Sequence, residues 1–156
     1  MDKNKYMQLA IDLAKENVKK GFGGPFGAVI VKNGEVIAQA ANSVTSTNDP
    51  TAHAEVNAIR QACKKLNTFN LSGCEIYASC EPCPMCLSAI YWARIDKVYV
   101  AATKKDAAEA GFDDEFIYKE LDLPENKRQL RTSELLMEEG QKPFIEWKQK
   151  ADKITY

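Results

Sequence analysis

Cys74-Glu-Ile-Tyr-Ala-Ser79 runs directly into Cys80-Glu-Pro-Cys83-Pro-Met-Cys86 and, past Ala93, into Lys97-Val-Tyr-Val-Ala-Ala102. The outer runs are short, apolar and rich in β-branched and aromatic residues, which predicts two strands. Residues 83–93 between them read as a helix. Strand, helix and strand in succession predict parallel pairing through a helical crossover, and therefore an α/β fold.

Upstream, Asp49-Pro50 reads as an N-cap followed by a first-turn proline. It predicts a helix from about residue 52 to 66, with Ala54, Ala58, Ile59, Ala62 and Leu66 on its buried side. His53 and Glu55 then fall in its first turn. Residues 42–48 read as loop. Ala28-Val-Ile-Val31, Asn33-Gly34 and Val36-Ile-Ala-Gln-Ala40 form the strongest short hairpin signal in the chain. Residues 3–20 place Tyr6, Leu9, Ala10, Leu13, Ala14 and Val18 at helical spacing, and Gly21-Phe-Gly-Gly-Pro-Phe26-Gly makes a loop of unusual backbone freedom. Downstream, residues 106–110 and 113–121 read as short helices. Residues 127–133 suit an edge strand or a helix start. Residues 143–153 read as a terminal helix anchored by Phe144, Ile145 and Trp147.

With 156 residues, 45% of them apolar, the chain can bury the core of one domain. No apolar run approaches the roughly 20 residues of a membrane span, and Met-Asp-Lys-Asn-Lys-Tyr at the start lacks the apolar stretch of a signal peptide. The expected location is cytoplasmic, without a membrane partner. The net charge of −1 argues against a broad phosphate-binding surface. Residues 106–125 carry eight acids against one base, a local net of −7 that would repel a polyanion but not a small neutral ligand.

Five cysteines, three of them within residues 80–86, suggest a metal in a reducing compartment before they suggest disulfides. His53, Cys83 and Cys86 offer one imidazole and two thiolates, a donor set that suits zinc. Three protein ligands leave a fourth tetrahedral position, as in catalytic rather than structural zinc. Helix starts at both ligand segments would favour thiolate over thiol. Glu55, two residues from the only histidine, is placed to handle a proton there. An iron–sulfur reading of Cys80, Cys83 and Cys86 needs a fourth thiolate, and only the distant Cys63 and Cys74 remain.

His-x-Glu at one helix start and Pro-Cys-x-x-Cys at the next strand–helix junction form the signature of zinc nucleobase deaminases. Over residues 1 to about 130 the chain resembles the cytidine deaminase superfamily. That resemblance implies a three-layer α/β/α sandwich with a central mixed five-stranded sheet. It also implies one Zn2+ per subunit on His53, Cys83 and Cys86, with Glu55 as proton shuttle. Cys80 is outside the ligand pattern.

Three stretches resemble the bacterial guanine deaminase branch: Gly23-Gly-Pro-Phe-Gly-Ala-Val-Ile-Val31, Asn48-Asp-Pro-Thr-Ala-His-Ala-Glu55, and Asp106-Ala-Ala-Glu-Ala-Gly-Phe-Asp-Asp114. The last continues into Phe116-Ile-Tyr-Lys-Glu120. The branch implies deamination of guanine at C2, with Asp114, or less readily Asp113, accepting from N1–H and the 2-amino group. It implies Asn42 as donor to O6 and N7, Phe26 stacking on the base, and backbone groups of Ala54 beside the metal. It further implies a homodimer in which a C-terminal extension, residues 132–156 of a single domain spanning 1–156, closes the site. Tyr156 would cover the pocket in cis or from an exchanged segment. Read without the branch, Phe26 is a loop anchor, Asn42 an Asx-turn residue and the two aspartates solvated acids. Deamination of another base or nucleoside, or of tRNA adenosine, is the alternative. A zinc-stabilised binding module without chemistry is the alternative from another class, and it has no need of Glu55.

Overall fold

The computed structural model describes residues 2–156. Asp2 caps the first helix, α1 (Lys3–Lys20), its carboxylate accepting from the Asn4 N–H at 3.0 Å. Strands β1 (Gly27–Lys32) and β2 (Glu35–Ala41) form the hairpin read from Asn33-Gly34. Both turn residues have positive φ, 50° and 81°, which matches the right-handed twist of the flanking strands. A short helix, α2 (Val44–Thr47), then occupies part of the expected loop.

The next helix, α3 (Ala54–Leu66), starts later than Asp49-Pro50 predicts, and His53 is its N-cap. The Asp49 carboxylate is spent locally, accepting from the Thr51 N–H at 2.8 Å and the Thr51 hydroxyl at 2.6 Å. It closes an Asx-turn rather than a helix. The deciding stretch folds as read: β3 (Cys74–Cys80), α4 (Pro84–Trp92) and β4 (Lys97–Ala102), with β3 and β4 parallel.

The sheet order is β2-β1-β3-β4, mixed, with β1 antiparallel to both neighbours. Alternation along β1 explains the three layers. Ala28 and Ile30 face α3 and α4 with Ala58, Ala62, Ile76 and Ile90, while Val29 and Val31 face α1 with Ala10 and Tyr77. A strand buried on both faces reads as one apolar run, as β1 does.

Four strands form among the described residues, not the five expected. Helices α5 (Lys104–Glu109) and α6 (Asp114–Asp122) follow β4. Residues 127–133, read as an edge strand or a helix start, contribute only the end of a 3-10 turn, Glu125–Lys127, and then unpaired backbone. The Arg128 guanidinium donates to the carbonyls of Glu120 and Leu123 at 3.1 and 3.2 Å, and the Gln129 N–H donates to the Glu120 carboxylate at 2.7 Å. These groups close the end of α6 and leave no alternating face for a ladder.

The chain divides into two compact units, Met1–Tyr118 and Lys119–Tyr156. The second holds α7 (Met137–Gln149), which begins six residues before the expected start and carries Pro143 inside it. Phe144, Ile145 and Trp147, read as anchors, are 70%, 53% and 40% exposed. Among the described residues no helix is long and apolar enough to cross a membrane.

Candidate metal centre and substrate cavity

The α3 and α4 N-termini bring the ligand side chains together. His53 and Cys83 are the N-caps of α3 and α4, and Cys86 lies in the first turn of α4 behind Pro84. His53 Nδ1 stands 3.6 Å from Cys83 Sγ and 3.4 Å from Cys86 Sγ, and all three ligand atoms lie within 4.8 Å of one another. Tetrahedral zinc with ordinary Zn–N and Zn–S bonds separates such atoms by about 3.5 Å. The residues therefore fit zinc. The Cys86 thiol and the His53 imidazole draw the Cys83 thiol down to about 4 against its burial. Cys86 is pushed up by the same shared proton and by burial, and the Cys83 sulfur raises His53. Cys80 behaves differently. Its thiol donates to the Thr103 carbonyl at 3.4 Å, and burial pushes it up to about 11, so it stays a protonated strand-end cysteine.

Glu55 is 6% exposed, and burial raises its carboxyl above the usual range. It faces Cys86 and His53, so the acid is held at the metal centre.

A cavity of about 430 Å³ opens over these groups, lined among others by Phe26, Asn42, His53, Glu55, Cys83 and Asp114. That is the size of a small-ligand pocket. The Asn42 Oδ1 accepts from the N–H groups of Gly24 and Val44, each at 3.1 Å. Two backbone donors fix the amide orientation, leaving Nδ2 as the donor for a ligand. The two aspartates part company: Asp113 Oδ1 accepts from the Phe116 N–H at 3.0 Å and caps α6. Asp114 is half-buried, its carboxyl raised by burial and by the nearby Cys83 sulfur. Ala54 is fully buried with its methyl in the core cluster, so only its backbone is available beside the metal. Tyr156 ends the second unit and is 72% exposed.

Several neighbours take their places only through the fold. Phe112 meets Phe26 edge to face, ring centroids 5.0 Å apart, and the pair forms one wall of the cavity. A second cavity of about 390 Å³ lies behind these rings, lined mainly by apolar side chains such as Ile11, Val18 and Ala107, and it holds none of the ligand atoms. The buried Asn17 on α1 donates to the carbonyls of Gly24 and Asn42, both at 2.8 Å. Its partners sit 7 and 25 residues away, so helical periodicity alone shows only a polar position. Gly23 permits this packing: a Cβ there would fall 2.2 Å from the Asn42 carbonyl oxygen. Gly23→Ala is therefore expected to lower the urea unfolding free energy by about 1–3 kcal/mol through overpacking; an unchanged midpoint and slope would contradict this packing.

The profile of the cytidine and deoxycytidylate deaminase zinc-binding region matches residues 1–102. The chain is 54% identical to guanine deaminase of Bacillus subtilis, with both chains covered in full. The solved Bacillus subtilis guanine deaminase structure matches it with a TM-score of 0.96, covering 100% of this chain and 99% of the other. A tRNA-specific adenosine deaminase from Aquifex aeolicus is 49% identical over 105 residues, 67% of this chain and 69% of that protein. The profile match ends at the last residue of β4 and so contains the whole ligand trio and Glu55. By this match, and by an identity that runs from end to end, the chain belongs to the cytidine and deoxycytidylate deaminase zinc-binding family.

Proposed function

We propose that the chain hydrolyses guanine to xanthine and ammonia. The observation that carries this reading is an acceptor, Asp114, and Asn42, whose amide is oriented by two backbone donors, lining one cavity with His53, Cys83 and Glu55. Guanine presents N1–H and a 2-amino group on one edge and the O6 and N7 acceptors on the other. Adenine turned with its amine to the metal presents the bare acceptor N1 beside that carbon, where guanine carries N1–H, and the lone pair of N1 is repelled by the Asp114 carboxylate. The full-length likeness to the Bacillus subtilis enzyme supports the same choice.

His53, Cys83 and Cys86 would hold zinc, which when bound lowers the pKa of water toward neutrality and supplies a nucleophile. Glu55 takes a proton from the attacking water and passes it to N3 as the C2–O bond forms. It then carries the second proton to the 2-amino nitrogen, the C2–N bond breaks, and ammonia leaves. Both protons of one water are so accounted for, and one carboxyl serves first as base and then as acid. Phe26 offers its ring to the purine face, and Asp114 and Asn42 set the plane and register of the base. The test is a panel: the zinc-loaded protein is expected to deaminate guanine and to leave adenine, cytosine, cytidine and tRNA adenosine unchanged, and preferred turnover of any of these would overturn the reading.

The enzyme works, in this reading, as a cytoplasmic homodimer acting on a free base rather than on nucleic acid. The acidic flank over residues 106–125 and five unpaired cysteines support that setting. Exposed Leu135, Leu136, Phe144 and Ile145 in the second unit support an apolar subunit contact. Residues 132–156 then close the site, with Tyr156 over the base, in cis or supplied by an exchanged partner segment. Deleting residues 153–156 is expected to keep zinc and to cut turnover about 100-fold, the scale set by lost positioning and water exclusion. Full turnover by the truncated chain would remove the lid.

A further inference from the structure

Helix α6 carries Asp114 and Tyr118 one turn apart. Asp114, its first residue, lines the cavity. Tyr118, four residues on and so on the same face, donates its hydroxyl to the Pro82 carbonyl at 2.7 Å. Pro82 immediately precedes the ligand Cys83 and has no N–H, so this carbonyl is the only backbone polar group it can offer. The Tyr118 ring is seated as well: the Lys104 ammonium lies 4.6 Å from its centroid, and the Lys104 N–H donates to the Glu81 carboxylate at 2.7 Å. The loop that delivers Cys83 is thus joined to α6 by the Tyr118 hydroxyl and, through Lys104, by the Tyr118 ring.

We infer that Tyr118 is a positioning residue for base discrimination: its hydroxyl pegs α6 to the metal-ligand loop at the register that presents the Asp114 carboxylate to a purine's N1–H and 2-amino edge. This rests on the guanine reading of the cavity. A carboxylate that must accept two hydrogen bonds tolerates only about 0.5 Å of misplacement. Asp114 sits at the helix start, where capping by Asp113 fixes the backbone but not the distance to the metal loop.

Tyr118→Phe keeps the ring beneath Lys104 and removes one oxygen. Zinc content is expected to stay at the parental value, and thermal unfolding to drop by only a few degrees, the scale of one lost hydrogen bond. KM for guanine is expected to rise about tenfold, the scale of one weakened hydrogen bond, with kcat changed far less. Competitive inhibition separates positioning from general loosening. Inhibition by hypoxanthine, which carries N1–H, should weaken with KM, while inhibition by unsubstituted purine, which has no proton at N1, should not move. In an Asp114→Asn background the same substitution should add almost nothing, because the two residues act through one contact. Equal losses with both inhibitors, an additive effect in the double variant, or an unchanged KM in Tyr118→Phe would overturn the inference. An Asp114→Asn variant with parental guanine kinetics would instead overturn the reading on which it rests.

Discussion

Glu55→Gln is expected to keep one zinc per chain and to slow guanine turnover about a thousandfold, within the range that positioned proton transfer supplies. Glutamine fills the same space but cannot take a proton from water or hand one to N3. Glu55 is buried among Cys86, His53 and the α3 start, so no solvent carboxylate can replace it. The pH dependence carries the same signature. Glu55 must be ionised to take a proton from water, so the parental profile has an acid limb on which turnover is lost as pH falls through the titration of the Glu55 carboxyl in the zinc-loaded protein. The limb should vanish in whatever activity the variant retains. Stability has the opposite sense. A carboxyl whose folded value is raised costs folding free energy as pH climbs through its unfolded value toward the folded one, and the cost stays in full above both. Glutamine avoids that cost, so with metal stripped from both proteins the variant should unfold at neutral pH no earlier than the parent. Steady-state turnover, bound zinc and a denaturation curve together check the prediction; retained turnover would take Glu55 out of the mechanism.

The second large effect is expected at Asp114. Charge-assisted hydrogen bonds to N1–H and the 2-amino group are each worth about 1.5–3 kcal/mol. Asp114→Asn should therefore lower kcat/KM for guanine about 100- to 1,000-fold with zinc retained. Asp113→Asn is the matched control. Asp113 caps α6 through the Phe116 N–H, and asparagine is a comparable cap, so kinetics and stability should both stay near parental. Loss of activity at 113 with sparing at 114 would reverse the assignment of the two acids.

What could be read from the sequence was local. Asn33-Gly34 fixes a hairpin because both turn residues accept positive φ. The run from Cys74 to Ala102 fixes strand, helix and strand because its periodicities change at Pro82 and again after Ala93. The ligand trio was legible because metal donors are few and their spacing is tied to helix starts. What escaped was nonlocal. Asn17, Phe112 and Tyr118 act on partners brought to them only by the fold: the Asn42 carbonyl, the Phe26 ring and the Pro82 carbonyl. Two of the errors were of one kind. Asp49 found a nearer partner in Thr51, and Arg128 found the carbonyls at the end of α6, so a helix cap and an edge strand both gave way to short-range side-chain bonds. In α7, Pro143 sits inside the helix although proline is most at home at a helix start, which explains the misplaced boundary.

The most direct test follows guanine, xanthine and ammonia together in protein stripped of metal and then reloaded. The reloaded protein should bind one zinc per chain and release xanthine and ammonia in equal amounts from guanine, and the stripped protein should release neither. Absence of xanthine from a chain that carries its full zinc would contradict the central claim.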